Sequence, residues 1–336
     1  MSEMISSAFA LNPDLTARLE KALAPLNLSL SKAGDLATAV QRQSDFYINE
    51  PTGRTPWSDR WCQTAQISYY LPLNFLRASR VMREAQRLGF FEGIRSVVDF
   101  GAGLGPVQLA YEAEVQSPAR FSVVERSSEA IRLSRLLGLE FDVLERPDGK
   151  RADLLTASYS LTELASPPEW LFDFDNLILI EPSTRQDSRA LLELRKILID
   201  RGYQMWAPCT HQEGCPLLEK SPADWCHDRL HFDRPEWMLA VEKRLPFQNP
   251  TLTLSYLVAS RRPRPSTKQT VRTVGDLMRE KGKARQMICR GPEREFFAWM
   301  ARHGEPQEIP RGVLCEMPAG ESKSNEFRVQ SPVAHT

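Results

Sequence analysis

Three of the chain's six cysteines and two of its five histidines crowd into 22 residues, APCTHQEGCPLLEKSPADWCHD, from Ala207 to Asp228. Cys209, Cys215 and Cys226 are separated by five and ten residues. Prolines at 208, 216 and 222 mark the stretch as loop, and a loop has little core for a thiol to fill. Three soft thiolates with one more donor suit Zn²⁺ or an iron–sulfur cluster. The C-x₂₋₄-C knuckles usual for zinc are absent from the stretch, and the long gaps suit a loop wrapped around something larger than one ion. Ligand chemistry alone leaves zinc and cluster open, with the fourth donor among His211, His227, Cys289 and Cys315.

A second stretch, VVDFGAGLGPVQLA from Val97 to Ala110, has a different chemistry. A β-branched run ends at Asp99, glycines follow at 101, 103 and 105, and Pro106 suits the first position of a helix. Such a turn lets the backbone approach a ligand with no Cβ in the way. The pattern is acidic-x-G-x-G-x-G rather than the dinucleotide fingerprint G-x-G-x-x-G. It resembles motif I of the S-adenosylmethionine-dependent methyltransferases, which implies an acidic residue at the end of the second strand to hold the ribose hydroxyls. Glu125, after FSVV, stands there, and a carboxylate accepts two hydroxyl hydrogen bonds at once. Asp99, Gly101, Gly103, Gly105, Glu125 and Ser158 are the candidate cofactor contacts. The fourth strand runs on as ASYSLTEL, which names no methyl acceptor and no catalytic residue.

The elements that must position these residues follow from periodicity. Residues 11–48 and Trp61–Leu88 show helical spacing, with Pro72 expected to kink the second stretch. From Ser96, short β-branched runs alternate with helical segments, the pattern of a parallel α/β sheet. Strands are expected at SVVDFG, FSVVE, FDVLE, DLLTASYSL, NLILIEP, YQMWAPC and TLSYLVAS. The intervening helices include DSRALLELRKILIDRG, with Gly202 as its stop. Cys209 then follows the sixth strand, whereas the Pro-Cys nucleophile of RNA 5-methylcytosine methyltransferases follows the fourth. Beyond Ser260, EKGKARQMICRG and PRGVLCEMP have the look of strands around a helix-like EREFFAWMARHG.

Lys plus Arg equal Asp plus Glu, 43 each, so total charge excludes nothing; its distribution is the informative part. Residues 261–294 hold eleven basic and three acidic side chains, a local +8, which suits phosphates or a solvated linker. No apolar run approaches the ~20 residues of a membrane span. The N-terminus lacks the basic-then-apolar pattern of an export signal, so a cytoplasmic, reducing location is expected and disulfides are not.

Taken together, FGAGLGP, SYSLTEL, EPSTRQDSRALLELRKIL, APCTHQEGCPL, DWCH and SYLVASR resemble the methyltransferase-like ribosomal small-subunit family of the Rsm-twenty-two type. The likeness runs from about Tyr69 through Arg262, more weakly to Cys289, and includes the Tyr-x-x-Pro helix YYLPLN. It implies a Rossmann-like S-adenosylmethionine-dependent methyltransferase fold of class α/β with N-terminal helices, a cysteine-rich insertion and a small basic C-terminal module. It also implies a 4Fe-4S cluster on Cys209, Cys215, Cys226 and Cys289, with Cys315 as the reserve ligand. Its mitochondrial members associate with the assembling small ribosomal subunit, so rRNA contact through 261–294 is expected. The alternatives are an active RNA or protein methyltransferase of unknown target and a zinc-stabilised, non-catalytic ribosome-binding scaffold. Two departures stand out: Pro-Cys-Thr-His where the family usually has Pro-Cys-Pro-His, and Asp228 where an aromatic residue is common.

The implied organisation is a helical region at 1–88, a methyltransferase-like domain at 89–262 with its cysteine-rich loop at 207–237, a basic module at 263–317 and a disordered tail at 318–336.

Overall fold

The computed structural model describes residues 9–50, 54–150, 152–265 and 270–334. The chain divides into two compact units, Met1–Phe174 with Leu230–Leu252, and Asp175–Arg229 with Thr253–Thr336.

The first unit opens with helices α1 (Pro13–Leu23), α2 (Ala33–Asn49), α3 (Arg60–Ala65) and α4 (Leu71–Arg87). Asn12 caps α1 by accepting from the Leu15 amide at 2.7 Å, and Leu15, Leu19, Ala22 and Leu23 form its buried stripe. The expected break at Pro72 falls slightly earlier. A π-helical turn at Gln66–Tyr70 separates α3 from α4, and Pro72 sits in the first turn of the new helix, where a missing N–H costs nothing.

Then come β1 (Ser96–Phe100), α5 (Pro106–Glu114), β2 (Arg120–Val124), α6 (Ser128–Leu136), β3 (Asp142–Val143) and β4 (Leu154–Ser158). β1 pairs in parallel with β2 and β4, and β2 with β3. The order β3-β2-β1-β4 is that of a Rossmann-like α/β sheet, in which ligands lie beyond the carboxyl ends of the strands where the order reverses. Register places Asp99 beside Val123 and Thr156, so the acid and the glycine loop stand at that end.

The second unit holds β5 (Asn176–Glu181), α7 (Arg185–Asp200), β6 (Gln204–Ala207), α8 (Pro216–Glu219) and the first two residues of β7 (Asp228–His231). After α9 (Glu236–Glu242), which belongs to the first unit, come β8 (Thr251–Ser260), β9 (Thr270–Thr273), β10 (Met278–Glu280) and β11 (Lys283–Cys289). β12 (Glu295–Met300), β13 (Leu314–Glu316), β14 (Gly320–Lys323) and β15 (Glu326–Val329) complete the chain's elements. β8 runs antiparallel to both β5 and β6. Thr184 caps α7 through the Asp187 amide, and Gly202, at φ +88°, lets the chain leave it.

The C-terminal strands form their own sheet in the order β13-β9-β11-β12-β15-β14, with β10 on β11. Two expectations change here. EREFFAWMARHG is mainly strand, with only a 3-10 turn at Ala301–His303: β12 pairs with β11 on one side and β15 on the other. The tail at 318–336 is not disordered over its described residues. It forms the β14–β15 hairpin and buries Phe327, Val329 and Val333 with Ile288, Phe297 and Trp299.

Candidate cofactor cradle and four-thiol site

In the first unit the glycine loop closes over the end of β1. Gly101, Gly103 and Gly105 all have positive φ, at 69°, 53° and 76°, a region L side chains avoid. A Cβ on Gly101 would stand 2.5 Å from the Ser160 Cβ, and one on Gly105 would stand 2.3 Å from Leu139 Cδ1. Asp99 is 2 % exposed. Its Oδ1 accepts from Thr156 Oγ1 at 2.7 Å, and its Oδ2 is buried with no hydrogen-bond partner among the described residues. Burial first, then the nearby Glu125 carboxylate, push Asp99 up to about 7 against the pull of Thr156. A buried acid with one unused oxygen can take a polar group of a ligand.

Glu125 does something that sequence reasoning did not anticipate. Its Oε2 accepts from the Gly103 amide at 2.9 Å and its Oε1 from the Ser127 amide at 2.8 Å. It therefore braces the glycine loop and the start of α6. Each oxygen keeps a second lone pair able to accept from a further donor. Asp99, Gly103, Gly105 and Glu125 line one tight cleft with Gln108 and Ser134. Gly101 and Ser158 are not in its wall, and Gly101 instead anchors the loop through its amide to the Val124 carbonyl at 2.8 Å. The residue that the motif did not flag is Tyr159, which follows β4 with φ +59°, a strained setting for an aromatic residue, with Arg77 over its ring.

The second unit brings Cys209, Cys215, Cys226 and Cys289 to the wall of one cavity, together with Arg195, His211 and His227. The space open to water-sized molecules is ≈ 30 Å³, more than the roughly 10–15 Å³ that one water requires. Cys209 follows β6, Cys215 precedes α8, Cys226 precedes β7 and Cys289 ends β11. The loop and β11 are tied directly, because Thr210 Oγ1 donates to the Cys289 carbonyl at 3.1 Å. Cys315 lies elsewhere, fully buried in the hydrophobic cluster of Val271, Ile288 and Phe297, and Cys62 lies in the first unit, buried in α3.

Burial, then the Cys215 and Cys209 thiols, push Cys226 up to about 12. Cys289 is raised well above the ordinary thiol value by burial and then by Cys209, Cys226 and Cys215. Cys215 is raised by burial and Cys209. A metal binds thiolates, so it must displace the protons that burial favours on Cys215, Cys226 and Cys289. His211 Nε2 lies 3.4 Å from Cys289 Sγ. Burial, then Arg195 and Arg264, pull His211 down to about 4, so the imidazole is neutral. Among the described residues no group of three or more His, Cys, Asp and Glu side chains converges as a single-ion site.

The basic segment is partly neutralised from outside. Arg272 pairs with Asp228, Arg279 with Glu305, Lys283 with Glu326, Arg290 with Glu295 and Arg294 with Asp224. Arg279 and Lys281, in and after β10, are exposed; Lys268 lies outside the described residues.

A family model described as mitochondrial small ribosomal subunit Rsm22 matches residues 68–305. Comparison with curated proteins gave no match. Among solved structures, the plantazolicin methyltransferase BpumL, in complex with a desmethylPZN analog and SAH, is 13 % identical, with 69 % of this chain and 98 % of that one covered at a TM-score of 0.37. A SAM-dependent methyltransferase from Aquifex aeolicus is 19 % identical over 38 % and 84 % of the two chains at 0.27. The precorrin-6y C5,15-methyltransferase from Geobacter metallireducens is 13 % identical over 55 % and 89 % at 0.33.

Proposed function

This chain belongs to the family described as mitochondrial small ribosomal subunit Rsm22, and on that premise we propose that it is a methyltransferase-like protein of the small ribosomal subunit that binds S-adenosylmethionine and a 4Fe-4S cluster. The observation that carries the reading is the cavity lined by four thiols, three from the 207–228 stretch and one from β11. A single tetrahedral ion draws its donors to about 2.0–2.3 Å from one point. A cubane is wider and accepts thiolates from around a body, which suits gaps of five and ten residues. When bound, the cluster supplies a covalent four-point cross-link. The chain's part is to present Cys209, Cys215 and Cys226 from one loop and Cys289 from β11.

In the first unit, the glycine cradle and the Asp99 Oδ2 without a partner among the described residues support a bound nucleoside, and Glu125 braces the loop at Gly103. S-Adenosylmethionine supplies an activated methyl group; transfer needs mainly in-line positioning of the acceptor. We place rRNA contact at the exposed end of the β10–β11 hairpin, where Arg279 and Lys281 face solvent, and the protein in the cytoplasm.

Three measurements test this. Anaerobically purified protein should be brown, with broad absorption near ~400 nm and about four irons per chain; one zinc and no iron would refute the cluster. Calorimetry should detect S-adenosylmethionine, and no binding at millimolar ligand would remove the cofactor reading. Affinity for rRNA should fall with salt and weaken on Arg279→Glu with Lys281→Glu, and unchanged binding would move the contact elsewhere.

A further inference from the structure

Arg195 is the member of the cavity wall that the helix pattern does not call for. It lies on α7 among Leu191, Leu192, Leu194 and Leu198, and it is 2 % exposed. Its Nε donates to Cys209 Sγ at 3.1 Å and its Nη2 to the His211 carbonyl at 3.0 Å. One planar fork thus holds both the sulfur and the backbone two residues beyond it, a geometry that lysine cannot reproduce. A guanidinium stays protonated throughout the range in which proteins are folded, so a fixed positive charge sits in this cavity wall beside Cys209.

We infer that Arg195 is the positioning residue of the four-thiol site, orienting Cys209 and supplying the buried positive charge that the metal-loaded site requires. This rests on the cluster reading above. Four thiolates around a doubly positive core leave two net negative charges in the cavity, and one-electron reduction adds a third. A guanidinium at hydrogen-bond distance from one ligand offsets part of that charge, and offsets more of it in the reduced form. The electron passes from dithionite to the cluster, with no bond made or broken in the protein.

The test compares anaerobically purified full-length wild type, Arg195→Met and Arg195→Lys, each shown to be folded by circular dichroism. Iron content and the midpoint of a dithionite titration followed by electron paramagnetic resonance are read for each. Arg195→Met should shift the reduction equilibrium at least tenfold toward the oxidised form, about 59 mV for one electron. Arg195→Lys, which keeps the charge without the fork, should fall between. A Met variant with full iron and the wild-type midpoint overturns the inference, as does a Lys variant that falls as far as Met. Where the Met variant holds no iron, a Lys variant that holds it supports the inference, and equal loss from both overturns it. An iron-free wild type sinks the cluster reading but still tests Arg195. Metal-free reduced protein is then titrated with Co²⁺ and the thiolate-to-cobalt absorption followed. Binding at least tenfold weaker in Arg195→Met upholds the role, and equal binding removes it.

Discussion

Alanine at Gly101 would carry its Cβ to within 2.5 Å of the Ser160 Cβ while the backbone holds φ at +69°. The two costs can be separated by comparison with Gly93 and Gly105. Gly93 has φ +81° and nothing within 4 Å of its missing Cβ, so Gly93→Ala reports the backbone alone. Left-handed geometry costs an L residue about 1–2 kcal/mol, and the stiffer unfolded chain returns about 0.4–1 kcal/mol, for a net loss near ~1 kcal/mol. Gly105→Ala adds a contact with Leu139 Cδ1, the far end of a side chain that can rotate, and should cost little more. At Gly101 the obstacle is the first carbon of Ser160, whose Oγ donates to the Phe100 carbonyl at 2.8 Å, so neither side can yield. Overpacking of that kind adds about 1–3 kcal/mol, for a total of about 2–4 kcal/mol. Urea unfolding of the three variants gives the order directly, and S-adenosylmethionine calorimetry on the folded proteins should show the largest loss at Gly101. Equal destabilisation by Gly101→Ala and Gly93→Ala would refute the steric argument.

Cys289→Ser should lower iron content, whereas Cys315→Ser should leave it unchanged and cost about 1–3 kcal/mol for a hydroxyl buried without a partner; the reverse pattern by iron assay would reassign the fourth ligand. Asp99 stands at about 7 against an ordinary 3.8, so between those values the folded chain keeps a proton that the unfolded chain has lost. Stability should therefore fall as pH rises through that window and level off above it. Asp99→Asn should flatten this part of the curve in unfolding titrations, and an unaltered slope would show that Asp99 is not its source. Asp228→Ala leaves Arg272 buried without the carboxylate it pairs with, a loss of about 3–5 kcal/mol. Arg272→Met in the same chain should restore part of that loss, and additive damage in the double variant would mean the two do not act as a pair.

The glycine loop, the α7 stripe and the three clustered thiols were legible because each is a local pattern, a spacing that one element imposes on its own residues. β12 was not. Phe296, Phe297 and Trp299 fit a helical stripe as well as a strand, and what decides is non-local: β11 and β15 supply hydrogen bonds on both sides. The tail failed for the same reason. AGESKSNEFRVQSPVAHT has too few apolar residues to build a core, but Phe327, Val329 and Val333 need only complete one that β9, β11 and β12 have already built.

Charge shows most sharply where a sequence stops being readable. The +8 over residues 261–294 is a correct sum, but a sum does not name partners, and Asp224, Asp228, Glu295, Glu305 and Glu326, all outside the segment, take up five of its cations. Asp228 gains a reason by the same route. It is the buried counter-ion of Arg272 on β9, two residues past Cys226. Replacing Asp228 by an aromatic residue would take that carboxylate away from the buried guanidinium. The cation with the most direct bearing on the thiols is not in the basic segment at all. Arg195 arrives from α7, inside a stripe of leucines, and only the fold places its Nε beside Cys209.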